Sequence, residues 1–266
     1  MSTTEIPATL VKQLREETGA GMMDCKRALV DTEGDLDAAR QLLREQGMAQ
    51  AVKRQVRETT EGLVGYRLTP ERGTMVAVGC ETEPVSKNDD FLAFVEKALD
   101  TVERDGPGAE SALEDERVAL TAKLGENIVI TGAARFEAVD GGRVASYVHP
   151  PGNKLGVLVG VRGGSAELGR KLAMHIAASS PEWIGRDDVP EELVTSEREI
   201  FAGTDEVLSK PEQAREKIVD GMLQKRFFAA RVLVDQPWVH DPSSTVGQAL
   251  ADESAEVLEF ERLQLG

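Results

Sequence analysis

The sequence predicts an α+β protein, in which a helical N-terminal module precedes a core of two subdomains, each with an antiparallel sheet and helices. Two observations support this fold class. Apolar residues recur at helical spacing over the first 47 residues, whereas from residue 62 they alternate with polar residues, as in strands. A hairpin followed by a helix also occurs twice, at 62–104 and 143–179, although the two copies share little sequence.

The N-terminal residues 1–47 contain the signals of three short helices. Two glycines in a tight turn separate the first helix from the second, which is predicted at 22–31. Asp35 is placed to cap the third helix, and Gly47 would close it. Three helices of this length make a marginal core, so we predict a UBA-like domain that serves in docking.

Residues 62–140 are predicted to form the first core subdomain, which follows a polar linker at 48–61. Two alternating strands flank a turn, and an amphipathic helix capped by Asn88 or Asp89 comes next. A second helix, which Gly125 would end, and a third strand complete the subdomain.

The second core subdomain is predicted from two separate stretches, 141–183 and 230–266. The first contains two strands and a helix, and the second contains a strand at 232–234, a short helix and a last strand. Between them, residues 184–229 have helical periodicity on both sides of a Gly-Thr-Asp break, which predicts an inserted antiparallel helical hairpin. The sequence leaves open whether this hairpin is a self-association surface or an independent arm.

Composition limits the functions open to this chain of 266 residues. Its apolar fraction of 41% and charged fraction of 29% are typical of a globular protein. The net charge of −16 argues against broad binding to phosphate backbones, which requires a basic face. Cys25 and Cys80 are too few for a disulfide framework, and no apolar run approaches the roughly 18 residues of a membrane span. We therefore expect a cytoplasmic protein that binds neither a membrane nor, directly, nucleic acid.

The sequence lacks the motifs that mark common catalytic and nucleotide-binding sites. It has no Gly-x-x-x-x-Gly-Lys-Ser/Thr loop, no Gly-x-Ser-x-Gly elbow and no His-Glu-x-x-His pair. His149, His175 and His240 lie in different predicted elements, which argues against a metal site, and His175 is expected to pack on its own helix. We expect no catalytic residue, no metal and no cofactor, and the chain is predicted not to be an enzyme.

Several motifs resemble the bacterial elongation factor Ts family in order and spacing. The first lies at 18–29, where a glycine turn leads into a helix that opens with Met22 and Met23. Further similar stretches lie at 117–120, 122–128, 173–179, 235–237 and 245–247. The family's Thr-Asp-Phe-Val motif corresponds to a divergent Thr-Glu-Pro-Val at 82–85.

The resemblance implies a guanine-nucleotide exchange factor in translation elongation, whose partner is elongation factor Tu in its GDP-bound or nucleotide-free form. In this family the helical module and the first core subdomain engage the partner's nucleotide-binding domain, and the second subdomain engages its far domain. The Thr-Asp-Phe-Val region acts as a wedge that disturbs Mg²⁺ coordination, so that GDP leaves and GTP can bind. A homodimer or a 2:2 complex with the partner stays open.

Carried over residue by residue, the resemblance implies two groups of site residues. The wedge comprises Thr82, Glu83, Pro84 and Val85. The candidate docking contacts are Val11, Lys12, Met22, Met23 and His149. Adjacent helical positions face about 100° apart, so one of the two methionines is expected to be buried and the other exposed. An ordinary strand-to-helix loop at the wedge and a plain turn histidine at 149 remain open as alternatives.

Two departures from the family motif leave another class of function open. Glu83 stands in place of aspartate, and Pro84 in place of a phenylalanine whose ring would bury about 150–250 Å² in an apolar slot. The alternative is a binding-only chaperone or sequestering partner of a Tu-like GTPase, with weak or no exchange activity. An enzyme with an unrecognised site is a third interpretation, which no motif supports.

Overall fold

The computed structural model describes residues 6–139 and 141–266, and it has the predicted α+β architecture. Residues 1–5 of the predicted docking domain and the predicted subdomain boundary at 140 lie outside the described residues. The chain begins with three helices, α1 (Ala8–Thr18), α2 (Met22–Asp31) and α3 (Leu36–Arg54).

These three helices enclose a small core of their own. Its buried side chains are Val11, Leu14, Cys25, Ala28, Leu29 and Ala39. Gly19 ends α1 at a left-handed φ of 70°, and the Asp35 carboxylate accepts hydrogen bonds from the amides of Asp37 and Ala38 at the start of α3. The predicted glycine turn and the predicted cap are therefore confirmed. Cys25 is buried, and this burial raises the pKa of its thiol.

Helix α3 does not end at Gly47, as the sequence predicts, but continues through it to Arg54. A Cβ atom on Gly47 would lie 2.7 Å from the Cβ of Ala122, so the absence of a side chain allows α3 to approach the core closely. The glycine marks a helix contact and not a helix end. The first part of the predicted linker 48–61 is consequently helical, and the Arg54 guanidinium donates to the Thr121 carbonyl at 3.3 Å.

The first core subdomain is a three-stranded antiparallel sheet covered by helices. Strands β1 (Glu61–Leu68), β2 (Arg72–Cys80) and β3 (Val129–Glu137) pair in the order β1-β2-β3. Between β2 and β3 lie α4 (Glu83–Ser86), α5 (Asp89–Asp105) and α6 (Glu114–Leu124). Asn88 caps α5 by accepting from the amide of Asp90, and Gly125 ends α6 at a φ of 78°.

The second core subdomain repeats this layout. Strands β4 (Gly142–Val148), β5 (Leu155–Arg162) and β8 (Glu256–Gln264) pair in the order β4-β5-β8. Helix α7 (Ala166–Ser179) packs on one face of this sheet through Leu168, Leu172 and Ile176. The repeat of architecture that the sequence predicts is thus present.

The two sheets pack face to face, so their central strands, β2 and β5, are buried on both sides. The core between the sheets comprises Val64, Met75, Ala77, Ala134, Val144, Leu158, Leu263 and Leu265. A Cβ atom on Gly73 would lie 2.6 Å from a methyl carbon of Val144, and one on Gly156 would lie 2.6 Å from the sulfur of Met75. Glycine at these two positions therefore permits the close approach of the sheets.

Between α7 and β8 the chain forms the inserted helical unit that the sequence predicts. Helices α8 (Glu191–Ala202) and α10 (Glu212–Met222) are joined by α9 (Asp205–Leu208), and α10 continues as a π-helical segment, Leu223–Phe228, and then as α11 (Ala229–Arg231). The unit has its own core of Val189, Val207, Val219, Met222, Leu223, Phe227 and Val232.

The prediction of a strand at 232–234 is wrong. Leu233–Asp235 form a 3₁₀ turn, and Val232 makes an isolated parallel bridge to Trp183. Val232 and Leu233 are fully buried, so their apolar character reflects core packing and not strand pairing. The chain then passes through β6 (Pro237–Trp238), β7 (Asp241–Thr245) and α12 (Val246–Asp252) into β8.

His175 is a buried core residue of α7, as predicted. Its Nε2 lies 2.9 Å from Gln236 Oε1, and its Nδ1 accepts from the amide of Val239 at 3.3 Å. Because Nδ1 accepts, the neutral ring donates from Nε2 to the glutamine oxygen. Burial lowers the pKa of His175, which keeps the ring neutral, although the hydrogen bond to Gln236 opposes this shift. Through these two contacts the histidine holds the segment that follows the helical unit against α7.

Gly47→Ala is expected to lower the free energy of unfolding by about 1 kcal/mol, because overpacking against Ala122 outweighs the gain in helix propensity. The matched control is Gly221→Ala in α10, where a Cβ meets nothing within 4 Å. That variant should gain about 0.5–1 kcal/mol. Urea unfolding followed by circular dichroism measures both, and equal stabilisation of the two variants would contradict a close contact at Gly47.

Candidate partner-binding site

The predicted wedge lies at the carboxyl end of β2, where the chain leaves the first sheet. Thr82 is extended and precedes the one-turn helix α4. Thr82, Glu83 and Pro84 are exposed, whereas Val85 is half-buried against the apolar cluster beneath α5. The wedge therefore consists of an exposed turn of helix with one apolar side chain anchored in the core.

The side chains of α4 suit its exposed position. Pro84 lies in the first turn, where the missing amide proton costs no helical hydrogen bond. Glu83 Oε1 accepts from Lys87 Nζ at 2.7 Å, and this contact lowers the pKa of the Glu83 carboxyl. Both side chains of this pair are more than half exposed, so the pair contributes little stability and can separate readily.

A carboxylate from another segment holds the start of the wedge. Glu126, in the loop after α6, accepts hydrogen bonds from the Glu81 amide at 3.1 Å, the Thr82 amide at 3.0 Å and the Thr82 hydroxyl at 2.6 Å. In return, the Glu81 carboxylate accepts from the amide of Asn127 at 2.7 Å. The Asn127 side chain donates to the Arg57 carbonyl at 2.9 Å, and the Arg57 guanidinium lies 3.3 Å from the Glu81 carboxylate. Three distant segments meet at this point.

Glu81, Glu126 and Asn127 were not among the site residues that the sequence indicated. A signal was present, because Glu126 and Asn127 directly follow a helix-ending glycine within a stretch that resembles the family. The sequence could not show that this loop folds against the end of β2, because no local pattern reports contacts between segments so far apart.

Met22 and Met23 open α2 on the surface of the helical module, and 53% and 65% of their respective surfaces are exposed. The expectation that one of them is buried is therefore wrong. The module core begins one turn further along, at Cys25, Ala28 and Leu29, so the first turn of α2 extends beyond it. Two adjacent thioethers form a flexible apolar surface that can adapt to a partner.

The two candidates on α1 differ in their placement. Val11 is only 7% exposed and packs in the module core, so the structure does not support its expected role as a docking contact. Lys12 is exposed, and its Nζ lies 3.6 Å from Glu16. Because an exposed pair of this kind is weak, Lys12 can exchange this carboxylate for one on a partner at little cost.

His149 lies in the turn between β4 and β5 and is exposed, with its Nδ1 2.8 Å from the Tyr147 hydroxyl. Lys154 closes the same turn and contacts the Glu61 carboxylate at 2.6 Å. Glu61 is paired with Cys80, the last residue of β2. The His149 turn and the wedge are therefore at the same end of the two sheets.

The glycine turn of the helical module is connected to this end as well. A Cβ atom on Gly19 would lie 2.8 Å from Cε of Lys123, so the lysine chain packs across the turn. Lys123 Nζ in turn contacts the Asp90 carboxylate, at the start of α5, at 2.7 Å. The helical module, the wedge and the His149 turn thus border one end of the core.

Within the parts of the chain that the structure describes, no group of three or more His, Cys, Asp or Glu side chains is placed to hold a metal ion. His175 and His240 flank Trp238, with ring centroids 5.1 and 4.8 Å from it, whereas His149 lies in the β4–β5 turn.

Burial, together with the charge of Glu126, raises the pKa of Cys80 to about 12, so its thiol is protonated at neutral pH.

Among residues 6–139 and 141–266, none of the helices is long and apolar enough to span a bilayer.

The fold and the site define a class of protein that presents an exposed contact surface on a packed α+β core, as proteins that act by binding a macromolecule do. A family described as Elongation factor TS matches residues 81–266. Elongation factor Ts from Thioalkalivibrio sulfidiphilus is 42% identical over 273 residues, which cover 98% of this chain and 92% of that relative. The corresponding proteins of Alkalilimnicola ehrlichii and Escherichia coli O139:H28 are 41% and 40% identical, with the same coverage.

This chain belongs to the elongation factor Ts family, and its role is that of a translation elongation factor in protein biosynthesis. The family that the sequence motifs indicate is thereby confirmed.

Substitution of Val11 should distinguish packing from docking. Val11→Ala removes two buried methyl groups and is expected to lower the stability of the helical module by about 2 kcal/mol. Met22→Ser and Met23→Ser alter exposed positions and should change stability by less than about 0.5 kcal/mol. Hydrogen exchange of α1 and α2 amides reports the module directly. Equal protection in all three variants would contradict a core position for Val11.

Proposed function

We propose that this protein is a guanine-nucleotide exchange factor for elongation factor Tu. It binds the GDP-bound partner, perturbs the Mg²⁺ and phosphate site and promotes release of GDP, so that GTP can bind. The observation that carries the proposal is the family relationship over nearly the whole chain. The wedge at 82–85 supports it, because a segment that enters another protein's site has to be both accessible and anchored. Exchange of this kind breaks no covalent bond, so it needs no catalytic side chain.

In the proposed mechanism the wedge acts on the electrostatics of the partner's site. Mg²⁺ is the largest local charge beside the phosphates of GDP, so its displacement removes much of their attraction. Glu83 carries an exposed carboxylate into this region, and Val85 keeps the turn seated on the core. Because coupling of binding free energies is reciprocal, bound GDP weakens binding of the factor as much as the factor weakens binding of GDP.

Docking is assigned in this proposal to Met22, Met23, Lys12 and His149. All four are exposed and lie on segments that border the same end of the core as the wedge. The methionines offer an adaptable apolar contact, and the net charge of −16 is compatible with a partner that carries basic patches. Val11 is left out because it is buried.

Release of a fluorescent GDP analogue from purified elongation factor Tu, followed by stopped flow with excess unlabelled nucleotide, tests the exchange function. This protein should accelerate release roughly tenfold or more, because weakening of GDP affinity by coupled binding, typically about 5–150-fold, is expressed here in faster dissociation. The Met22→Ser/Met23→Ser double variant should require a higher concentration for half-maximal acceleration but reach the same maximal rate. Formation of a stable complex without faster release would refute exchange and favour the binding-only alternative.

The binding-only alternative rests on the two departures of the wedge from the family motif, Glu83 and Pro84, of which Pro84 is the larger change. Pro84 has a compact, rigid ring where the family motif has phenylalanine, so the wedge inserts less apolar surface into a partner. In that case the protein would hold a Tu-like GTPase as a chaperone or sequestering factor. The docking surface would be the same, and only the effect on nucleotide release would differ.

Pro84→Phe is expected to increase the maximal rate of GDP release several-fold, because a phenylalanine side chain can bury about 150–250 Å² and so inserts more apolar surface than the proline it replaces. Comparison with Pro84→Ala separates the added ring from the lost proline, and α4 accommodates both because position 84 is exposed. The same stopped-flow measurement at saturating factor gives the rates. If the phenylalanine variant is no faster than the alanine variant, the ring does not limit exchange by this chain.

A further inference from the structure

Helix α4 lacks the features that would stabilise it alone. It spans four residues, and the cost of helix nucleation makes so short a segment unstable in isolation. Thr82 stands where a threonine hydroxyl usually accepts an amide of the first helical turn, but it makes no such bond. The hydroxyl instead donates to Glu126. The direction of α4 must therefore be set by contacts outside the helix.

The strongest polar contacts of this kind converge on one carboxylate. Both backbone amides that precede α4, and the Thr82 hydroxyl, donate to Glu126 at distances of 2.6–3.1 Å. Hydrogen bonds to an ionised acceptor are stronger than those between neutral groups. Together they fix the path along which the chain leaves β2 and enters the wedge.

Glu126 is in turn presented from a fixed backbone. Gly125 ends α6 in a left-handed conformation, and Asn127 on the other side is only 1% exposed. The amide of Asn127 is held by Glu81 and its side chain by the Arg57 carbonyl. The carboxylate therefore has a defined position relative to the core and to the segment that leads from the helical module.

We propose that Glu126 is the positioning residue of the wedge. It acts through Thr82 and the Glu81 amide, and it sets the orientation in which Glu83 and Pro84 meet the partner. This inference rests on the proposed exchange function and names the residue on which the geometry of that function depends. Its effect falls on the rate of nucleotide release at saturation and not on docking, because the docking residues lie on other segments.

Three substitutions separate positioning from a direct effect of charge. Glu126→Ala removes the acceptor, and Glu126→Asp keeps the charge but withdraws it by one methylene, so both should lower the maximal release rate about tenfold. Glu126→Gln keeps the length and one acceptor oxygen, so it should stay within about threefold of the unmodified protein. The half-saturating concentration should change little. An aspartate variant at the unmodified rate, with glutamine as slow as alanine, would overturn the proposal.

A second readout does not depend on exchange activity. In the free protein, hydrogen exchange of the peptide covering 81–86 should be faster in Glu126→Ala, because the amides of Glu81 and Thr82 lose their acceptor. If hydrogen exchange of this peptide is the same in Glu126→Ala as in the unmodified protein, the inference is overturned. If the alanine variant fails to fold, the comparison of aspartate with glutamine carries the same test.

The matched control is Glu256→Ala, which removes an exposed carboxylate that pairs with Arg162 at 2.8 Å. Both readouts should remain at the values of the unmodified protein. If the unmodified protein itself fails to accelerate GDP release, the proposed function is refuted, while the hydrogen-exchange result still decides whether Glu126 positions the wedge.

Discussion

The packing of the two sheets through their inner faces is the constraint on which the rest of the structure depends. Burial of β2 and β5 on both sides joins the two subdomains into one unit, because sliding one sheet over the other would expose the apolar layer between them. The glycines at 73 and 156 allow the separation that this layer requires. The wedge follows β2 directly, and the His149 turn precedes β5, so both are placed by the most deeply buried strands.

This constraint explains how a single turn of helix can serve as the proposed wedge. Its rigidity comes from its surroundings: Val85 is seated on the α5 core, and Glu126 holds the residues before the turn. The exposed turn is thus held in place by the packing of Val85 and by hydrogen bonds to the charged carboxylate of Glu126. In the proposed mechanism, docking can displace the partner's Mg²⁺ only if these contacts keep α4 in its orientation when it meets the partner.

Much of the fold could be predicted because its signals are local. The Asp35 cap, the Asn88 cap and the stop at Gly125 depend on neighbouring residues, and all three occur in the structure. The prediction that Gly47 ends α3 is wrong, because a glycine that ends a helix and a glycine that permits a close contact look identical in sequence. Only its distant neighbour, Ala122, distinguishes the two.

In the candidate site, too, local sequence patterns predicted some features, whereas features that depend on contacts between distant segments could not be predicted. The motif resemblance indicated the wedge residues and the methionines, but helical periodicity alone did not show that the first turn of α2 extends beyond the core, and so Met22 is exposed as well as Met23. The motif resemblance likewise indicated Val11 as a docking contact, but it did not show that this side chain packs in the module core beside Leu14. Glu126 could not be selected at all, because its proposed role depends on a contact with a strand end that is remote in the chain.

The continuity of α3 has a consequence for binding entropy. Its nineteen residues span about 28 Å at 1.5 Å per residue, and the helix runs from the module onto the core without a break. A coil at 48–54 would have made the module a tethered ligand, which loses conformational freedom whenever it engages. With a helix there, that loss is incurred once, during folding. In the proposed mechanism, the two methionines then reach the partner at a fixed distance and angle from the wedge, so binding at the two points would be bivalent with a high effective concentration.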